Sequence, residues 1–109
     1  MGDFKSFEEF WPFYLKEHSN VLNRRLHFVG TSSVVLTAFT AVFTQQWLLF
    51  ALLPVLGYGP AWVGHFLVEH NRPATFKHPL WSLRGDFRMV GLMWLGRLGS
   101  ELQRAGVQG

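Results

Sequence analysis

The most prominent feature of the sequence is a long run of residues without charge. From Phe28 to Val68, 41 residues include no Asp, Glu, Lys or Arg. A membrane-spanning helix needs about 20 apolar residues, so this run has room for two. Its most polar point, Thr44-Gln45-Gln46, lies near the middle and is a natural position for a turn. The pattern therefore predicts a transmembrane hairpin with helices over residues 23–43 and 47–70.

A buried hairpin in a soluble protein is the alternative interpretation of the same run. Its first half is short for a membrane span and carries five Ser and Thr residues. The two interpretations differ in what surrounds the apolar side chains, which is lipid in one case and protein in the other. Both predict the same pair of antiparallel helices.

The two flanks of the run have the pattern of amphipathic helices. Over residues 4–19 apolar side chains recur at spacings of three and four, and Ser6 with Glu9 has the form of a capping box. Pro12 predicts a kink or a second helix start within this segment. A further interfacial or docking helix is expected over residues 83–103. The predicted fold is all-α, a single domain over residues 1–109 with a two-helix transmembrane hairpin flanked by amphipathic helices.

Composition narrows the possible chemistry. Charged residues make up 16% of the chain, against about 25% in ordinary globular proteins. The absence of cysteine excludes disulfides, thiolate metal sites and a cysteine nucleophile. Any metal must therefore be held by nitrogen and oxygen ligands. The net charge of +3 does not indicate nucleic-acid binding, because the basic residues lie beside lipid-length segments and not along one stripe.

The positions of the basic residues predict an orientation. The predicted turn carries no charge, whereas basic residues border both open ends of the hairpin. The positive-inside rule then places these ends, and both termini, in the cytoplasm. The basic residues are Arg24, Arg25, Arg72, Lys77, Arg84 and Arg88.

Turn position brings two of the five histidines together. An antiparallel hairpin that turns near Gln45 places His27 and His65 at the same depth on facing helices. His18 lies nine residues before His27 and reaches the same end of the hairpin if the chain bends between them. Glu69 follows His65 by one helical turn and shares its face. These four side chains are candidate ligands for a divalent metal such as iron, zinc, copper or nickel.

Other interpretations of the histidines remain open at this stage. His27 and His65 are equally compatible with hydrogen-bonded interfacial residues, in a non-catalytic membrane scaffold or lipid-binding protein with a structural histidine cluster. A soluble helical domain that binds haem through these two histidines is a third possibility. His70 points away from Glu69, and His78 lies in a loop bounded by prolines. Neither is a favoured ligand.

Three runs of the sequence resemble a known family, and together they extend from about Phe4 to Leu98. The runs are Tyr14-Leu15-x-x-His18-x-Asn20-x-x-Asn23-Arg24-x-x-His27-x-x-Gly30, Gly57-Tyr58-x-x-Ala61-Trp62-x-Gly64-His65-Phe66-x-x-Glu69-x-Asn71-x-Pro73-Ala74-Thr75-Phe76 and Pro79-Leu80-x-Ser82-Leu83-x-x-Asp86-Phe87-x-Met89. The chain is similar in these runs to the membrane 2-hydroxy fatty acid dioxygenases, small proteins long catalogued as a domain of unknown function.

The resemblance implies an Fe(II)-dependent dioxygenase of fatty acid α-oxidation. Such an enzyme converts a 2-hydroxy fatty acid to the fatty acid one carbon shorter, with O2 and without 2-oxoglutarate. His18, His27 and His65 match motif positions, so the resemblance implies that they are catalytic and bind iron. The expected partners are the lipid bilayer, a 2-hydroxy fatty acid and O2, and self-association into a homo-oligomer is left open. The expected location is the bacterial cytoplasmic membrane or the endoplasmic reticulum.

Five further residues have hypothetical roles around such a site. Glu69 is a candidate additional ligand. Arg24 or Arg72 neutralises the substrate carboxylate, unless these arginines only anchor the hairpin at the membrane surface. Asn23 and Asn71 orient the ligand imidazoles, unless they only cap helices. The acyl chain is expected to run into the bilayer between the two helices, past Phe28, Trp62 and Phe66.

Overall fold

A computed structural model describes residues 4–107. Within that range the chain forms helices and no strand, so the predicted all-α class is confirmed. Five α-helices are joined by two short 3-10 helices and one π-helical segment. The α-helices are α1 (Phe7–Lys16), α2 (Val21–Thr44), α3 (Leu53–Val63), α4 (Pro79–Leu95) and α5 (Leu98–Ala105); the 3-10 helices cover Trp47–Leu52 and Ala74–Phe76, and the π-helix covers Gly64–Glu69.

The hairpin consists of α2 and the helical stretch Trp47–Glu69, and both are long and apolar enough to cross a membrane. The turn is at Gln45, whose φ of 56° ends α2 in the left-handed conformation. In the most apolar part of α2, only 22% of the residues are buried by protein. In the most apolar part of Trp47–Glu69, the buried share is 11%. The core helix of a soluble protein would be mostly buried. The hairpin instead presents its apolar side chains outward, as a membrane helix does.

A glycine sets the separation of the two hairpin arms near the open end. A Cβ on Gly64 would lie 1.8 Å from Oδ1 of Asn23 on α2, so any larger side chain forces the Asn23 side chain, or the arm that carries it, to move. Gly64 also begins the π-helical segment that follows α3. Such segments are frequent at functional sites, because the extra residue in the turn changes the direction of the side chains. The segment carries His65.

A second packed region lies outside the hairpin. The apolar face of α1 packs against α4 and α5, with the Tyr14 ring over Gly85, where a Cβ would lie 2.9 Å from it. The apolar face expected to lie on the membrane or on the hairpin is thus covered by α4 and α5. The buried members of this region, here called the head core, include Phe7, Phe10, Trp11, Tyr14, Leu15, Met89, Leu98 and Leu102.

The boundaries of the flanking helices differ from the prediction. The Ser6 cap is present, since its Oγ accepts from the Glu9 amide at 3.3 Å. However, α1 covers ten residues and runs through Pro12 as one helix, without a second start there. The prediction of a single helix over residues 83–103 is wrong. The helix α4 begins earlier, at Pro79, and it ends before Gly96, which has a φ of 70°. Glycine adopts this conformation readily, so it ends α4 and lets α5 turn back toward α1.

Candidate metal centre

Three histidine side chains converge where the head core meets the hairpin. His18 lies in the loop after α1, His27 in the second turn of α2, and His65 in the π-helical segment. His18 Nε2 lies 3.1 Å from Nε2 of His27 and 3.0 Å from Nε2 of His65. All three side chains are buried, and one ring nitrogen from each lies within 4.8 Å of the others. The structure therefore brings together the three histidines named from the sequence.

The other ring nitrogen of each histidine determines its tautomer. Nδ1 of His18 faces the Tyr14 carbonyl at 2.7 Å, and Nδ1 of His27 faces the Asn23 carbonyl at 3.0 Å. A carbonyl oxygen can only accept a hydrogen bond, so each Nδ1 must carry the proton and donate it. The Nε2 atoms of these two neutral rings are therefore unprotonated.

Asn71 has the same effect on the third histidine. Its Nδ2 donates to the Glu17 carbonyl at 3.1 Å, which turns its Oδ1 toward His65. Nδ1 of His65 donates to this oxygen at 2.7 Å. The side chain of Asn71 thus has the position expected of a group that orients a ligand imidazole.

The arrangement directs three lone pairs at one point. A hydrogen bond between two of the rings would need a proton on the Nε2 of one of them. In a neutral ring the Nδ1 would then have no proton to donate, although it faces an oxygen acceptor. A doubly protonated ring would avoid this conflict. However, burial, with the neighbouring His27 and His65, lowers the pKa of His18 well below its usual value. A bound cation resolves the conflict because it accepts all three lone pairs.

The spacing of the nitrogens also fits a metal. Metal–imidazole bonds are about 2.0–2.1 Å long, so two nitrogens on one ion are about 3.0 Å apart when the angle between them is near 90°. The separations of His18 Nε2 from Nε2 of His65 and of His27, 3.0 and 3.1 Å, match that value. Neutral imidazole is a ligand for iron, zinc, copper and nickel. The donor set is compatible with these metals and does not choose among them.

The carboxylate of Asp86 on α4 borders the cluster. Its Oδ1 lies 4.0 Å from Nε2 of His27 and accepts a hydrogen bond from the hydroxyl of Tyr14. The Tyr14 ring in turn stacks on His18, with the ring centroids 4.0 Å apart. Burial raises the pKa of Asp86 to about 7, although the hydrogen bond from Tyr14 opposes this shift. Burial, and then the nearby Asp86, raise the pKa of Tyr14 well above its usual value, so its hydroxyl stays protonated and donates.

Glu69, the carboxylate named from the sequence, faces the loop between α1 and α2. Its Oε2 accepts from the Asn20 amide at 2.6 Å and from Nδ2 of Asn23 at 3.2 Å. Its Oε1 accepts from Ser19 Oγ at 3.2 Å. These bonds tie the end of the second hairpin arm to the start of α2. Asn23 thus contributes its side chain to this contact and its backbone carbonyl to the orientation of His27.

The two arginines named as substrate ligands lie in different surroundings. Arg24 is buried, and its guanidinium donates to the carbonyls of His18 at 2.7 Å and Ser19 at 2.9 Å. It therefore holds the loop that carries His18. Arg72 lies over the Phe76 ring at 4.8 Å and borders a cavity of about 550 Å³ that Lys77 also lines.

The remaining two histidines do not join the cluster. His70 is exposed and ends the π-helical segment with a φ of 61°. His78 packs among aromatic rings, stacked on Trp81 and edge-on to Phe10. Both placements agree with the sequence interpretation that left them out of the ligand set.

Sequence reasoning missed Asp86 and Tyr14. Helical periodicity relates residues within one helix, whereas these two meet across α1 and α4, 72 positions apart. One signal was available, because both residues occur in the runs that resemble the dioxygenase family. The turn of the hairpin could not reveal them, since neither residue belongs to its arms.

Comparison with known families agrees with this site. A family model described as 2-hydroxy-palmitic acid dioxygenase Mpo1-like matches residues 4–98. The match covers most of the chain, so the chain belongs to this family, and the resemblance noted in the sequence is confirmed. No curated protein and no solved structure matches the chain.

Proposed function

We propose that this member of the family is an Fe(II)-dependent dioxygenase, which converts a 2-hydroxy fatty acid to the fatty acid one carbon shorter. His18, His27 and His65 would hold the iron. The observation that carries the proposal is the convergence of three unprotonated Nε2 atoms in a buried site. The family description supports the reaction, because it names a 2-hydroxy fatty acid and a dioxygenase.

The reaction balances without a further oxidant. A 2-hydroxy fatty acid and O2 give the shorter fatty acid, CO2 and water, and the four electrons lost by the substrate reduce O2 completely. No cosubstrate such as 2-oxoglutarate is therefore required. The iron, when bound, would orient the 2-hydroxy carboxylate and activate O2.

The protein's own groups hold the ligands in place. The carbonyls of Tyr14 and Asn23 and the side chain of Asn71 fix the three imidazoles with their Nε2 atoms inward. Arg24 fastens the loop that carries His18. In other metal sites, the loss of such a supporting contact lowers metal affinity or activity by about 10–100-fold.

The substrate carboxylate needs a cationic partner near the site. Arg24 already donates to two backbone carbonyls, which leaves Arg72 as the better placed of the two arginines. Arg72 directly follows Asn71, the partner of His65, and borders the open cavity beside Lys77. We infer that Arg72 attracts the carboxylate at the membrane surface.

The hairpin is proposed to span the membrane with the metal centre at its cytoplasmic end. Two stretches have the required length and hydropathy. The basic residues border the open end of the hairpin, where the histidines lie, and the turn at Gln45 carries none. A fatty acid in the cytoplasmic leaflet would then meet the site with its carboxyl group at the height of the lipid headgroups.

The experiment is incubation of the purified protein with Fe(II), O2 and 2-hydroxypalmitate. The expected products are the C15 fatty acid and CO2 in equal amounts, with one O2 consumed for each substrate. Palmitate, which lacks the hydroxyl group, should not be consumed. Loss of substrate without a C15 product would contradict the proposed reaction.

A pair of histidine variants tests the ligands. His65→Ala should lose the bound metal and reduce activity to background. His70→Asn is the matched control, because asparagine tolerates the left-handed conformation of that residue; it should retain both metal and activity. If protein purified without oxygen contains no metal, and His65→Ala behaves like the control, the non-catalytic lipid-binding alternative is favoured.

A further inference from the structure

An apolar groove begins at the metal centre and follows the hairpin toward its turn. The first section of this groove is a small cavity, which is lined by His27, His65, Tyr58 and Asp86. Tyr58 and Asp86 line a second cavity as well, of about 180 Å³, between α2, α3 and α4. The two cavities are therefore neighbours along one path.

The path continues beyond the second cavity. Thr31 and Phe87 line both the second cavity and a third one of about 300 Å³, which lies between α2 and α4. The third cavity reaches Phe39 on α2, whereas Trp94 on α4 lines it nearer the metal end, where its ring packs on Phe28 and its indole donates to Ser32 at 3.2 Å. Asp86, at the metal end, is the one carboxylate among the residues that line the three cavities, and neither Lys nor Arg is among them.

The length of the groove corresponds to one layer of lipid chains. From His27 to Phe39 the helix advances twelve residues, or about 18 Å at 1.5 Å per residue. The hydrocarbon core of a bilayer is about 30 Å thick, so each leaflet contributes about 15 Å. A groove of this length accommodates one extended acyl chain of ordinary lipid length.

We propose that this groove binds the acyl chain of the 2-hydroxy fatty acid, and that the residues at its far end determine the preferred chain length. The inference rests on the proposed function. The carboxyl and hydroxyl groups lie at the histidines, and the methyl end lies near Phe39. The continuity of the groove with the metal centre argues for the substrate over an ordinary membrane lipid. Of the three residues expected along the acyl chain, Trp62 lines this path, whereas Phe28 and Phe66 line none of the three cavities; the path continues past Thr31 and Phe87.

Two glycines provide a matched test of the groove. Gly91 lines the third cavity, and a Cβ there meets no atom within 4 Å, so Gly91→Leu adds an apolar side chain where the backbone leaves open space. A Cβ on Gly59 in α3 also meets no atom within 4 Å, and Gly59 lines none of the three cavities. Gly59→Leu therefore adds the same side chain to the hairpin outside the groove.

The experiment maps where the methyl end of the substrate lies. The probe is 2-hydroxyhexadecanoic acid with a photoreactive diazirine at its methyl end, added to iron-loaded protein in phosphatidylcholine nanodiscs without oxygen. Labelled residues are identified by mass spectrometry. The wild type and Gly59→Leu should be labelled around Phe39, and excess unlabelled 2-hydroxypalmitate should suppress the label. In Gly91→Leu this label should fall at least about tenfold, as expected when roughly two methylene groups are displaced.

Chain-length preference provides a second measurement. When O2 is admitted, Gly91→Leu should prefer shorter 2-hydroxy fatty acids than the wild type does. Phe39→Ala opens the far end and should prefer longer ones. Retained metal content shows that each variant is folded.

The outcomes separate this inference from the proposed function. Labelling at the far end without any turnover would support the groove and contradict the dioxygenase. Label spread evenly over outward-facing residues such as Leu48, Val55 and Leu67, equal in both glycine variants, would overturn the groove. Turnover with unchanged chain-length preference in both Gly91→Leu and Phe39→Ala would also overturn it and leave the dioxygenase intact.

Discussion

The head core and the hairpin use the same kinds of residue in opposite ways. Phe10 and Tyr14 are completely buried in the head core, whereas Phe43 is 80% exposed and Leu48 is 89% exposed on the hairpin. The head core therefore matches a helical protein in water, with its aromatic side chains packed against each other. The proposed membrane location accounts for this difference, because lipid would then surround the apolar exterior of the hairpin.

The metal centre lies at the boundary of these two regions and belongs to both. His27 and His65 come from the hairpin, whereas His18 follows α1 and Asp86 comes from α4. Neither region contains three of the clustered side chains without the other. The site forms only when the head core docks on the open end of the hairpin, so its geometry depends on contacts in both.

The first prediction compares the two regions directly. Phe10→Ala removes a ring that is entirely enclosed in the head core. It should reduce the free energy of unfolding by about 3–5 kcal/mol, because a buried cavity remains. Phe43→Ala, on the outward face of α2, should change it by about 0.5 kcal/mol or less. Thermal unfolding in detergent measures both.

Equal destabilisation by the two variants would contradict this division. It would mean that Phe43 packs against protein, as in the soluble interpretation of the hairpin. A metal-content assay on Phe10→Ala adds a second test. The head core positions His18, so this variant should lose metal at a lower temperature than the wild type.

The second prediction concerns the separation of the hairpin arms. Gly64→Ala places a methyl group 1.8 Å from Asn23 Oδ1, so the buried Asn23 side chain must move or the arms must separate. The expected cost is about 1–3 kcal/mol, as for other overpacked sites, together with weaker metal binding because His65 follows directly. Gly59→Ala has open space and should be neutral or slightly stabilising, since alanine favours a helix. Metal titration of the two variants would contradict the prediction if their affinities were the same.

Much of the hairpin could be predicted from the sequence. The charge-free run gives the two arms, and the polar residues at its centre give the turn within a residue of Gln45. Turn position then gives the pairing of His27 and His65, because the arms of a short hairpin keep one register. These conclusions depend on contacts that are local or fixed by a single turn.

The head core could be predicted less well, because its contacts are distant in sequence. The amphipathic face of α1 was visible, but an apolar face does not reveal whether lipid, α2 or α4 covers it. The break at Gly96 was missed because glycine is tolerated inside helices, and the return of α5 to α1 is what requires it. For the same reason Glu69 was chosen by its spacing from His65, whereas Asp86 approaches from another helix.

The third prediction compares these two carboxylates. Asp86→Asn keeps the shape of the side chain and its ability to accept from Tyr14, but removes the charge beside His27. Fe(II) or Co(II) affinity should fall by about 10–100-fold, as for other groups around metal ligands. Glu69→Gln should have a smaller effect on metal affinity, because its oxygens already bind the loop between α1 and α2.

Titration calorimetry and the absorption spectrum of the Co(II) form provide the measurements. A spectrum changed by Asp86→Asn and unchanged by Glu69→Gln is expected if Asp86 borders the ion. The reverse pattern would restore Glu69 as the ligand named from the sequence. Thermal stability of both variants should be recorded, since the hydrogen bonds of Glu69 join the hairpin to the loop.

The last prediction concerns pH and the metal-free protein. Burial raises the pKa of Asp86 from its usual 3.8 to about 7, so between these values the folded protein holds a proton that the unfolded chain releases. The stabilising contribution of this group is complete below the usual pKa and is lost as the pH rises through about 7.

Between pH 6 and 8 the melting temperature of the wild type should therefore fall by a few degrees more than that of Asp86→Asn. Added Fe(II) should remove that difference, because a cation near the carboxylate favours its ionised form. Parallel curves in the absence of metal would show that Asp86 is ionised without a cation, and that the boundary between the head core and the hairpin is more hydrated than its burial indicates.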